Sequence, residues 1–171
     1  ITCTPQNAYE FDSELYKTKG MGGSETACIE MATWLKKLTN RPVKVFNMRQ
    51  KDFIDENGVE WISANKLNTY MSEKFPKVHI AWRHNIKVTN APTYLWCHDL
   101  VTPGVESVRN FDFELCLSDF HKYYTMAMQG VPEERIIVTR NGLNPEKFKF
   151  DRPQKDPNKL VWMSSPDRGL D

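Results

Sequence analysis

The stretch Gly20-Met21-Gly22-Gly23-Ser24-Glu25 sets three glycines and a hydroxyl ahead of an apolar-striped segment. Without a Cβ, Gly22 and Gly23 let backbone N–H groups come close to a phosphate or sugar oxygen, and a helix opening behind them adds the positive end of its dipole. Ser24 suits the cap of that helix. Glu25 puts a carboxylate in its first turn, where it either complements the dipole or faces a ligand. The blander alternative is a tight turn with no ligand. The loop is a poor dinucleotide fingerprint, because Glu25 stands where GxGxxG needs its third glycine and the loop starts well after the first strand ends. A Walker loop is excluded, since no Lys-Ser or Lys-Thr follows the glycines.

Other candidates close apolar runs. His98 follows TYLWC, residues 93–97, at the end of a strand where ligands approach an open parallel sheet. Asp99 either orients it or caps a turn. Arg140, Asn141 and Gly142 leave the run at 135–139 with a cation, an amide and a turn-forming glycine, or simply join sheet to linker. Arg83 and His84 follow the run at 78–82, where Arg83 reads equally well as a solvated rim charge. His121 and Lys122 fall in a first helical turn, a poor place for cations. They mark a surface facing something acidic, or nothing. Tyr123, Tyr124, Met126 and Met128 read as packing and surface contacts. Cys97-His98-Asp99 lacks the further ligands that zinc requires, so no metal site is expected. Cys3, Cys28, Cys97 and Cys116 are scattered in or beside apolar runs, as reduced, buried thiols are.

The elements that must position these residues alternate. A short strand at 1–4 is followed by about twenty residues of loop. Residues 24–38 carry Cys28, Met31, Ala32, Leu35 and Leu38 at helical spacing, with Lys36 and Lys37 at the C-terminal pole. Strands are expected at 43–47, 59–63, 78–82, 93–97, 113–117 and 135–139, and a helix at 65–75 stopped by Pro76. A third helix, capped by Ser118, runs to about Gln129 and ends at Gly130. This order predicts an open α/β sheet. Residues 151–159, DRPQKDPNK, hold two prolines and five charges and read as a linker. Residues 160–171 would then open a second domain.

Composition narrows the function classes. With 171 residues, 40% of them hydrophobic, the chain supports one domain with a real core. Its 23 basic and 22 acidic side chains leave a formal charge of +1, which provides no general attraction to nucleic acid or anionic membrane. No apolar run reaches the roughly 18 residues of a membrane span. The first residues lack the basic and apolar regions of a signal peptide, so a cytoplasmic location is expected.

Taken in order, GMGGSETACIEMATWLKK, TYLWCHDL and LCLSDFHKYYTMAMQGVPEERIIVTRNGLNPEKF resemble the N-terminal half of retaining nucleotide-sugar glycosyltransferases of the GT4 type. The shared features are a GGxE-like loop opening the first helix, a histidine after a middle strand, a Ser-x-Phe helix start, a Gly-Val and Arg-Ile strand approach, and an Asn-Gly turn. The resemblance spans nearly the whole chain and implies the GT-B arrangement, two Rossmann-like domains facing across a cleft. Residues 1–150 would form the acceptor-side domain and 160–171 the start of the donor domain. The implied activity moves a sugar from a nucleotide-sugar donor to a sugar, lipid or protein acceptor with retention, without a tightly bound cofactor or metal. Gly22 and Gly23 would approach donor phosphate or acceptor. His98 would contact the reacting sugar or acceptor without serving as general base. Ser24, Glu25, Asp99, Arg140, Asn141 and Gly142 would line the acceptor side of the cleft. In SSPDRGLD, Arg168 with Gly169 would match a phosphate-binding Lys-Gly pair. The chain departs from the pattern at Ser165-Pro166, in place of Gly-Arg, and at Asn144, in place of aspartate. A fragment without the donor domain should be inactive. A sugar-nucleotide epimerase of the same architecture and a non-catalytic carbohydrate-binding or assembly module are the alternatives.

Overall fold

The computed structural model describes residues 1–3, 10–74, 76–84, 87, 89–100, 110–145 and 156–161. The chain opens with β1 (Thr2–Cys3) and enters a short helix, α1 (Ser13–Thr18). The long helix α2 (Gly23–Thr39) leads to β2 (Val43–Asn47), β3 (Phe53–Ile54) and β4 (Val59–Ser63). A 3-10 turn feeds α3 (Leu67–Glu73), followed by β5 (His79–Trp82), β6 (Thr93–Trp96) and β7 (Phe113–Cys116). Helix α4 (Asp119–Gln129) and β8 (Ile136–Val138) complete the set.

These strands form one sheet in the order β3-β4-β2-β1-β5-β6-β7-β8. Every pairing is parallel except β3 with β4. From β1 the parallel strands run outward through β2 and β4. The chain then returns to lay β5 on the other side of β1. This is the doubly wound, Rossmann-like arrangement, with its reversal point between β1 and β5.

Alternation along the strands fills both faces. Trp82, Trp96 and Leu115 point to the side packed by Cys28, Ile29 and Ala32 of α2, together with Val45, Val59 and Trp61. Their neighbours Ala81, Leu95 and Cys116 point the other way and pack with Cys97, Phe111, Val131, Ile136 and Met126 of α4. Such two-sided burial explains the nearly continuous apolar runs in the central strands.

Four local expectations change. The loop after β1 contains α1, capped by Asp12, whose Oδ1 accepts from Glu14 N and Leu15 N at 2.9 Å. Phe11, just ahead of it, is wedged against Trp61 and Trp82. Six residues are too few to print a helical period. The cap of α2 is Gly22 rather than Ser24: Thr26 N donates to Gly22 O at 3.0 Å, which puts Ser24 inside the first turn. Strand β3 was not expected; it is a two-residue antiparallel edge beyond a turn built on Asp55. That carboxylate accepts from Asn57 N, Val59 N and Trp61 Nε1, and Gly58 supplies the left-handed φ of +77°. Finally, the turn after β8 takes its left-handed residue from Arg140, φ +59°, and not from Gly142. Helix α4 follows expectation at both ends: Ser118 accepts from His121 N at 3.0 Å, and Gly130 closes it at φ +64°.

Leu160 stands 98% exposed after a turn in which Lys159 N donates to Asp156 O. Residues 162–171, including Arg168, and most of the expected linker lie outside the described residues. No described helix is long and apolar enough to cross a membrane.

Candidate functional site

The expected residues gather where the parallel strands end. Helix α2 starts beside the end of β5, where Glu25 approaches Arg83, and Gly22 and Gly23 at that start are both exposed. Among the described residues, a Cβ on Gly23 would meet nothing within 4 Å, so their packing does not require a glycine there. One turn in, Glu25 is only 5% exposed, unlike a carboxylate that merely decorates a helix pole.

Arg83 accounts for that burial. It follows β5 in the left-handed region, φ +57°, with its N–H donating to Trp96 O at 3.1 Å. Such a backbone costs a non-glycine residue about 1 kcal/mol or more. The turn aims the guanidinium across the end of the sheet. It lies over the Trp82 ring, 5.5 Å from the centroid, and approaches Glu25 Oε1 at 3.9 Å. Its Nη2 donates to Asp99 Oδ2 at 2.9 Å. One cation therefore joins the start of α2, the end of β5 and the loop after β6.

His98 sits beside this cation. Its ring packs against Trp96 at 4.8 Å and Trp82 at 6.0 Å between centroids. Burial, and then the charge of Arg83, push its pKa down to about 4 against the opposing pull of Asp99. The imidazole is neutral at pH 7 and a weak base. Its Nε2 is buried without a hydrogen-bond partner among the described residues, an unused polar atom between two indoles.

The remaining candidates separate. Arg140 lies at the same end of the sheet, beyond the edge strand β8, where Nη2 donates to Asp119 Oδ2 at 3.0 Å; Asn141 and Gly142 are exposed beside it. No described contact links these three to His98 or Glu25. His84 turns into the structure, with Nε2 at 2.8 Å from Thr2 Oγ1. His121 also turns inward, and burial lowers its pKa. No cation therefore opposes the α4 dipole at that position, and His121 is not part of the exposed surface. Lys122 reaches Glu133 at 2.6 Å.

Arg83 carries one signal in the sequence, its place at a strand end, and its importance depends on β5 lying beside β1.

No family model matches the chain, and no curated protein matches it either.

Proposed function

We propose that this chain is the acceptor-side half of a nucleotide-sugar-dependent glycosyltransferase that retains anomeric configuration. One observation carries the reading: an open helix start at Gly22-Gly23, a charge-linked Glu25–Arg83–Asp99 chain and a neutral His98 converge where strand order reverses. The resemblance of the motifs to the GT4 pattern supplies the choice of chemistry.

Transfer breaks the bond between the anomeric carbon and the diphosphate oxygen, forms one from that carbon to an acceptor oxygen, and passes the acceptor's hydroxyl proton to the departing diphosphate. Negative charge grows on the diphosphate and positive character on the sugar. N–H groups at the helix start suit the former. His98, with its pKa near 4, holds a hydroxyl by hydrogen bonding and does not take its proton at neutral pH. Glu25 and Asp99 keep Arg83 in place along the rim. Arg168, carried by the donor half, would hold a phosphate through its fork of donors.

The test is nucleotide release from a panel of nucleotide sugars by the chain extended through its donor domain, with and without candidate acceptors. Acceptor-dependent release, lost in His98→Ala and Gly23→Val, supports transfer through both residues. A changed nucleotide sugar formed without acceptor refutes it in favour of epimerisation, and a folded, complete protein that binds no donor refutes it in favour of a non-catalytic module. The 171-residue chain alone is expected to show no turnover.

A further inference from the structure

The α4-facing side of the sheet holds a polar cluster that sugar transfer does not use. Glu114 and Cys116 lie two residues apart on β7 and therefore share a face. His121 comes down on them from the first turn of α4. A Glu114 carboxylate oxygen, Cys116 Sγ and a His121 ring nitrogen all lie within 4.8 Å of one another. Glu114 is 2% exposed and His121 4%.

Glu114 Oε1 is well supplied with donors, from the Cys97 thiol at 3.1 Å and the Thr125 hydroxyl at 3.4 Å. Glu114 Oε2 and His121 Nε2 are not: both are buried, and neither has a hydrogen-bond partner among the described residues. Buried polar atoms left unpaired in this way are costly to the fold. An electron-pair acceptor held by this cluster would engage both side chains, and Cys116 adds a third donor of a softer kind.

We propose that Glu114, Cys116 and His121 bind one divalent transition metal, with Zn2+ the best match. Magnesium and calcium take oxygen ligands, whereas a thiolate, an imidazole and a carboxylate together suit zinc. Bonds of about 2.0–2.3 Å hold the donor atoms of a tetrahedral site roughly 3.5 Å apart, so the set closes by about an ångström on binding. The fourth place goes to a water or to the Thr125 hydroxyl, 3.7 Å from Cys116 Sγ. A supporting group is present: the Cys97 thiol donates to Glu114 Oε1. Metal at Nε2 selects the tautomer with Nδ1–H, which gives up the long contact it accepts from Leu117 N at 3.4 Å. The Cys116 thiol gives its proton to solvent as the Zn–S bond forms. A metal here ties the end of β7 to α4 and, through Cys97, to the strand end carrying His98.

The test titrates the chelator-treated chain with Co2+ as a spectroscopic surrogate while circular dichroism follows the fold. One equivalent should bind with tetrahedral ligand-field bands and a thiolate-to-cobalt charge-transfer band. Zn2+ should displace it and raise the melting temperature. Cys116→Ser should abolish the charge-transfer band and weaken uptake roughly tenfold or more, and His121→Gln should weaken it similarly. Cys28→Ser, in the opposite core, should change neither. A folded wild-type chain that takes up no stoichiometric Co2+ or Zn2+, or binds without a thiolate band, overturns the proposal whether or not the variants fold. Unchanged binding in either ligand variant overturns it as well.

Discussion

Arg83 occupies a position where three demands meet: a left-handed backbone, an aromatic face beneath the guanidinium, and two carboxylates around it. Glu25 is the buried member, so losing Arg83 leaves a carboxylate out of water with its nearby cation gone. Arg83→Met is expected to cost about 2 kcal/mol in urea unfolding, less than a fully buried pair because the arginine is partly solvated. Adding Glu25→Gln should recover part of that loss, and strictly additive penalties would show that the two side chains do not interact. Thr2 offers a second test at this scale. Its hydroxyl lies 2.7 Å from His79 Nε2, so Thr2→Val strips a buried imidazole of that contact and should cost about 1–3 kcal/mol. His79 also makes stability depend on pH. Burial, aided by the Ile1 amino group, His84 and Lys87, lowers its pKa to about 3, and burial lowers that of His84 too. Because the unfolded chain binds protons first, this stability is fully present above about pH 6.5 and is lost as pH falls toward 3. Unfolding midpoints measured from pH 7 to pH 4 should decline steadily, and a flat profile would contradict neutral, buried histidines.

Among the elements, α2 and α4 differ in how they begin. Helix α4 carries a side-chain cap, so Ser118→Ala should cost about 1 kcal/mol. Helix α2 starts on a glycine with no side-chain cap bond, and no described residue would touch a Cβ on Gly23. Gly23→Val should therefore leave thermal stability within about 0.5 kcal/mol of wild type, as for a surface substitution away from packing. A large stability loss would mean that the glycine serves the fold, and the loss of ligand binding expected of that variant could not then be read as direct. The caps of α4 were legible because capping joins residues three or four apart. α1 and β3 were not, since six residues and two residues are shorter than the patterns that announce a helix or a strand.

Across the whole molecule, the sheet is protected most at its centre. β4, β2, β1, β5, β6 and β7 have partners on both sides, while β3 and β8 stand at the edges. Hydrogen exchange should therefore be slowest in β2 and β5 and fastest in β3. Uniform protection across the sheet would argue against this strand order.

Local signals in the sequence sufficed for the alternation of strands and helices, the two-sided burial of the central strands, the ends of α4, and the position of His98 at a strand terminus. Each rests on contacts within a few residues, where periodicity, capping and turn chemistry act. Tertiary structure decided which termini meet. Placing β5 beside β1 sets Arg83 between Glu25 and Asp99, although they are far apart in the chain. Packing α4 onto β7 turns His121 inward and brings it to Glu114 and Cys116. Strand order follows from crossovers that must bury both faces of one sheet at once, and that is a property of the assembled chain, not of any single segment.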